Sequence, residues 1–435
     1  MGKAPFFISL GLGLCLVVAC TGAFAQRNPA DYIATEAQVP SYTLPPLFPA
    51  GFATLPLAAQ KQAWETLERP RIIALFERHI YGRAPSYQNG NGWRITYKTI
   101  EQGSTALYRR RQVLMTIANP ADDTLNARLM VLLPLSGKLK GLAIGLNFYG
   151  NHTTTLDPAI LLSPSHCDPN PNFLTAGDRQ SQASGGVRQG RWPIHLLLQQ
   201  GFGLITAAYE DFEPDIANLP SSFKPYGLRL LFAKAPIADS VPAFGAIGAW
   251  AFGLQRMLDY ASQDPELQLA PAYAIGHSRL GKAALWAAAQ DTRFAGVLAN
   301  GSGRFGASLS RRQFGEPLAT ICQSFPHWFV PSLPAQSLAT LPVDQHQLIA
   351  LVAPRKVMIA SATKDWWADP KGEFLSLRNA APAWALYGQS ALSSTTPWPA
   401  PLNPARSPAQ LYHLRPGDHD ITYLEWQTFL SWLGK

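Results

Sequence analysis

The 435-residue chain has little cysteine, with four residues, and little charge, at 15%. Low charge combined with a 47% hydrophobic share excludes a disordered or fibrous chain and allows a sizeable packed core. H-E-x-x-H, paired C-x-x-C and EF-hand loops are all missing, so the sequence indicates neither a metal nor a cofactor. After the N-terminus no apolar run reaches the roughly 18 residues needed to cross a bilayer. Lys/Arg-rich tracts are absent as well. The formal charge of +8 is dispersed, with only short runs at Arg109, Arg110 and Arg111 and at Arg311 and Arg312, which argues against a nucleic-acid partner.

What is present begins with an export signal. Lys3 supplies positive charge, residues 6–19 are almost wholly apolar, and small residues follow at Ala23 and Ala25. Residues 1–25 therefore read as a signal peptide, and the mature protein is expected in the periplasm or outside the cell. Val17-Val18-Ala19-Cys20 supports a second reading, a lipoprotein box that would leave Cys20 lipid-anchored at the outer membrane. Cleavage at Ala25 leaves Cys167 and Cys322 in an oxidising compartment, where a disulfide and two buried free thiols both stay open.

Residues 26–57 are Pro-rich and weakly periodic and read as an arm on a single catalytic body, residues 58–435. A helix is expected over 60–81. Alternating and β-branched patterns over 93–116 and 127–133 predict an antiparallel edge. From Gly141 the grammar changes to short apolar runs at 142–146, 203–208, 272–275, 296–298, 357–362 and 412–414. Helical stretches at 246–261, 281–290 and 424–433 complete the pattern of buried parallel strands with crossover helices. The class is α/β, with a mostly parallel central sheet flanked by helices.

The segment Ala272-Tyr273-Ala274-Ile275-Gly276-His277-Ser278-Arg279-Leu280-Gly281-Lys282 places a Ser between a buried strand and a helix. That is a nucleophile elbow of the α/β-hydrolase fold, where a sharp turn exposes the hydroxyl and the helix N-terminus faces a developing oxyanion. The second Gly of G-x-S-x-G is displaced by one, to Gly281. Gly276 to Lys282 also fits the G-x-x-x-x-G-K of a phosphate loop, but Ala283 stands where the Mg²⁺-binding Ser or Thr belongs. A Ser nucleophile needs a later acid and His in this fold. His419, in Arg415-Pro416-Gly417-Asp418-His419-Asp420 before the last helix, has the position of the base. Asp365 follows the strand 357–362 as the acid, with Asp369 in reserve, although a loop Asp commonly only caps a turn. The segment 146–152 follows an early strand, where this fold contributes an oxyanion N–H.

These motifs resemble those of glucuronoyl esterases, whose G-x-S-R-x-G-K elbow matches Gly276 to Lys282. The likeness continues through Pro326-His327-Trp328-Phe329, Leu341-Pro342-Val343-Asp344-Gln345-His346, Ala353-Pro354-Arg355, Asp365-Trp366-Trp367-Ala368-Asp369-Pro370 and the His419 loop. The resemblance implies hydrolysis of esters that join 4-O-methyl-glucuronic acid on glucuronoxylan to alcohols, including those of lignin. It further implies that Arg279 stabilises the oxyanion, that Lys282 and Glu316 bind sugar hydroxyls, and that Trp367 packs on the uronate. Without the resemblance these residues read as a surface Lys, a Glu paired with Arg311 or Arg312, and a core Trp.

Two departures stand out. Many members carry the acid as a Glu where this chain has Asn300-Gly301-Ser302-Gly303, which shifts that role to Asp365. The cysteines flanking nucleophile and base in fungal members are His277 and Asp420 here. Another carbohydrate carboxylesterase, or a non-catalytic glycan-binding protein on the same scaffold, are the alternative readings.

Overall fold

Strands β4 (Gly141–Asn147), β5 (Phe202–Ala208), β6 (Ala272–His277) and β7 (Gly296–Asn300) are buried at every residue, because helices cover both faces of the sheet they build. Their side chains alternate between two cores. Ala274, Val297 and Ala299 join the larger one, while Tyr273, Ile275 and Leu298 join the smaller. The helices Ala246–Gln263 and Arg279–Gln290 supply the first layer, and Tyr423–Leu433 supplies the second.

The computed structural model describes residues 32–84, 92–175, 177–233 and 241–434. The expected signal peptide, residues 1–25, and the lipidation site at Cys20 lie outside them. Among the described residues no helix is long and apolar enough to cross a membrane.

The remaining strands are β1 (Arg94–Ser104), β2 (Arg109–Ala118), β3 (Thr124–Leu133), β8 (Lys356–Ala362), β9 (Ala405–Arg406) and β10 (Gln410–Arg415). The ten form one sheet in the order β1-β2-β3-β5-β4-β6-β7-β8-β10-β9. Pairing is antiparallel from β1 to β5, parallel from β5 through β10, and antiparallel again at β9. The sheet has the mostly parallel core and N-terminal antiparallel edge that the sequence predicts, and its fold is that of an α/β hydrolase.

The helix expected over 60–81 is interrupted. Two α-helical stretches, Leu57–Ala63 and Arg69–Phe76, alternate with π-turns at Trp64–Glu68 and Glu77–Tyr81. Pro70 lacks an N–H, and the widened turn before it accommodates the lost hydrogen bond without breaking the helix. The arm lies against the body: Pro45 O accepts from His346 Nε2 at 3.0 Å, Pro46 O accepts from Gln347 Nε2 at 2.9 Å, and Phe48 meets Trp64 edge-on at 5.6 Å.

Candidate active site

Strands β6, β7, β8 and β10 are consecutive neighbours in the sheet and run parallel, so their carboxyl ends open at one rim. Ser278 follows β6, Gly301 follows β7, Asp365 follows β8 and His419 follows β10. Residues far apart in sequence therefore meet.

Ser278 has φ 58° and ψ −130°, a strained combination for a non-Gly residue that lifts its hydroxyl off the strand. The turn is tight: a Cβ on Gly276 would sit 2.0 Å from Leu280 O, so only glycine fits there. Gly281 is the counterpart on the helix, where a Cβ would approach Ser302 Cβ to 3.0 Å. The displaced glycine thus serves close packing of the helix on the end of β7.

His419 Nε2 lies 2.9 Å from Ser278 Oγ, and His419 Nδ1 lies 2.6 Å from Asp365 Oδ2. A carboxylate can only accept, so Nδ1 carries the hydrogen and Nε2 faces the Ser hydroxyl as an acceptor. Asp369, the reserve acid, is used elsewhere. It caps the helix Pro370–Ala380 through Gly372 N at 2.9 Å and pairs with Arg312 at 3.1 Å. Gly301, where relatives were expected to carry a Glu, has φ +52°, and a Cβ there would stand 3.1 Å from Asp365 Oδ2 and 3.3 Å from His419 Nδ1. Its lack of a side chain leaves room for Asp365. Beside Ser278, His277 hydrogen-bonds Asn300 Oδ1 at 2.6 Å, and burial holds it well below the usual histidine range, hence neutral.

A cavity of about 400 Å³ opens over Ser278 and His419, and Arg279, Lys282, Glu316 and Trp367 all line it. Lys282 is no surface residue. It is 4% exposed, its Nζ donates to Ser302 O and Arg304 O at 2.6 Å each, and burial lowers it to about 8 despite nearby Glu316 and Glu373. Those bonds use two of the three ammonium hydrogens on the loop after β7, which removes Lys282 from the phosphate-loop reading and leaves one hydrogen for the cavity it lines. Arg311 and Arg312, which the sequence offers as partners for Glu316, are engaged otherwise, Arg311 with Leu341 O and Arg312 with Asp369. Trp367 is a half-buried cavity wall, met edge-on by Tyr32 of the arm at 5.1 Å.

Arg279 is anchored by a group that sequence reasoning missed. Its guanidinium pairs with Asp215 and lies 4.8 Å from the Trp328 ring centre and 5.1 Å from that of Phe325. Asp215 also accepts from Trp328 Nε1 at 2.6 Å and lies 3.0 Å from His327 Nε2. Burial alone would raise the Asp215 carboxyl, but Arg279 and these partners hold it at about 2. Its position just past the carboxyl end of β5 was the available signal, diluted by Glu210, Asp211 and Glu213 beside it. The segment 146–152 closes β4 as expected, none of its residues lines the cavity, and the Phe148 ring centre lies 5.9 Å from the Arg279 guanidinium. Cys167 and Cys322 are both free and buried, so the disulfide left open by the sequence is not formed.

A mostly parallel sheet, a Ser on a strained strand-to-helix turn and a His on the loop before the last helix define an α/β hydrolase. Residues 239–388 match the model of a family described as "Glucuronyl esterase, fungi". The chain is 38% identical over 415 residues to "Carbohydrate esterase MZ0003" from an unknown prokaryotic organism, covering 94% of this chain and 92% of that one. It is similar to the solved structure of a promiscuous CE15 esterase from a marine bacterial metagenome, with a TM-score of 0.82, 36% identity, and 93% and 99% of the two chains covered. A glucuronoyl esterase from Solibacter usitatus gives a TM-score of 0.80 at 34% identity, covering 92% and 99%. The chain belongs to the glucuronoyl esterase family, hydrolases that cleave carboxylic esters.

Proposed function

We propose that this protein is an exported serine hydrolase that cleaves esters of 4-O-methyl-glucuronic acid on glucuronoxylan, through an acyl-enzyme on Ser278. The observation that carries the reading is the chain of contacts from Ser278 Oγ to His419 Nε2 at 2.9 Å and from His419 Nδ1 to Asp365 at 2.6 Å, at the floor of a cavity walled by Lys282, Glu316 and Trp367.

Ser278 Oγ attacks the uronic carbonyl carbon while His419 Nε2 takes its proton. Asp365 fixes the imidazole orientation and offsets the charge of the imidazolium. The carbonyl oxygen, now anionic, faces the N-terminus of the helix Arg279–Gln290, where the Arg279 backbone N–H and guanidinium supply donors. Asp215 holds that guanidinium in place. Collapse of the intermediate breaks the bond to the alcohol oxygen, which leaves with the proton from His419. Water, deprotonated by His419, then attacks the acyl carbon and frees the uronate and Ser278. Lys282 donates to a sugar hydroxyl, Glu316 accepts from one, and Trp367 packs against the ring.

The test is hydrolysis of benzyl glucuronate against 4-nitrophenyl acetate, with Ser278→Ala as the control. Glucuronate-selective turnover lost in Ser278→Ala supports the reading. Acetate turnover without glucuronate turnover overturns the substrate and favours a broader carboxylesterase, a reading to which the promiscuous relative gives weight. Glycan binding without turnover of either ester would leave a binding protein.

A further inference from the structure

Trp366 and Trp367 are consecutive, yet they serve opposite sides of one turn. Trp367 walls the cavity over Ser278, whereas Trp366 walls a second groove of about 500 Å³ that contains neither Ser278 nor His419. Across this groove stands Trp398. Both indoles are open to water, Trp366 at 50% and Trp398 at 37% exposure. Both are also held: Trp366 Nε1 donates to Thr363 O at 3.0 Å, and Trp398 packs on Phe374 and Tyr412 at 5.5 and 5.4 Å. Rigid aromatic faces turned to water are poor candidates for core packing and suited to stacking on the C–H face of a pyranose. The rim carries Glu36 of the arm and Lys371, paired at 2.8 Å, which together offer acceptors and donors to hydroxyls while cancelling in charge.

We propose that this groove is a second glycan subsite that takes neutral pyranose rings of the polysaccharide chain bearing the uronate. The proposal rests on the esterase reading above for its substrate and on the groove alone for its chemistry. An alcohol ring one or two bonds from the ester oxygen must lie beside His419, which the groove does not contain, so the leaving group is not its occupant. The net-neutral rim gives no preference for an anion. The turn 363–369 walls both cavities, so a chain branching from the uronate and crossing that turn would enter the groove while its acyl group stays at Ser278.

The experiment uses xylohexaose, which has no uronate and no ester, titrated calorimetrically into Ser278→Ala protein with and without Trp366→Ala. Trp398→Leu serves as a second variant with a different packing environment. Affinity for xylohexaose should fall about tenfold in each, the scale of one lost aromatic contact. In protein that keeps Ser278, Trp366→Ala should leave kcat/KM on benzyl glucuronate within about twofold of wild type. Unchanged xylohexaose affinity in both variants overturns the proposal, as does absence of xylohexaose binding in protein that hydrolyses benzyl glucuronate. An equal loss on benzyl glucuronate would also overturn it, by placing Trp366 in the reaction itself. Saturable binding of veratryl alcohol in place of xylohexaose would reassign the groove to aryl groups. Failure of wild type to hydrolyse benzyl glucuronate, with xylohexaose binding still dependent on Trp366, would sink the esterase reading and leave the subsite standing.

Discussion

Replacing Asp365 by Asn removes one negative charge and preserves shape, so it isolates what that carboxylate does. Asp365 is buried, and its Oδ2 lies 2.6 Å from His419 Nδ1. An Asn amide in that place can donate to Nδ1, which would put the ring hydrogen on Nε2 and aim it at Ser278 Oγ. The base then has no free lone pair for the Ser proton, and the imidazolium formed during attack loses its counter-charge. In a Ser-His-Asp triad such a change costs about 10⁴-fold in kcat, or roughly 5 kcal/mol of transition-state stabilisation. Asp369→Asn is the matched control, because Asp369 caps a helix and pairs with Arg312. That variant should lose about 1–3 kcal/mol of stability while its folded fraction keeps near-wild-type kcat. The assay is initial-rate hydrolysis of benzyl glucuronate, with melting temperatures recorded for both proteins. A loss under about tenfold in Asp365→Asn, or a larger kcat loss in Asp369→Asn, would refute the assignment.

Asp215→Ala leaves the Arg279 guanidinium buried without its counter-ion. It should cost about 3–5 kcal/mol of stability by denaturant titration and lower kcat as well, whereas unchanged kcat would detach Arg279 from the oxyanion. Gly276→Ala forces a Cβ to 2.0 Å from Leu280 O, a backbone atom, so soluble active protein should be lost; normal yield with normal activity would contradict the elbow geometry. Burial raises the Glu373 carboxyl to about 8, outweighing hydrogen bonds from Ser302, Ser361 and Gly303. Between about pH 4.5 and 8 the unfolded chain then binds fewer protons than the folded one, and stability falls as pH rises through that window. Glu373→Gln should flatten that slope in melts at pH 5 and 8, and an unchanged slope would show that other groups set it. Lys282, lowered to about 8, should lose its proton above that pH, so KM for benzyl glucuronate should rise there while KM for nitrophenyl acetate does not.

The elements with a strong local signature were legible in the chain. Strands buried on both faces read as unbroken apolar runs, and a Ser between such a run and an Ala-rich helix marked the elbow, because the residues that make each feature are sequence neighbours. The order of Ser278, Asp365 and His419, and the motifs around Lys282, Glu316 and Trp367, pointed to one family and one pocket. What the chain could not decide was pairing between distant segments. Asp365 and Asp369 lie four positions apart, and only the register of β8 beside β10 turns one to His419 and the other to Arg312. The partner of Arg279 was hidden for the same reason, since Asp215 is the last of four carboxylates in six residues and is distinguished only by where β5 ends. Gly301 reads as a missing acid in the sequence and becomes, in the sheet, the space that Asp365 uses. Local pattern follows from local sterics and solvation, whereas choice among chemically equal groups follows from which strand ends the sheet order brings together.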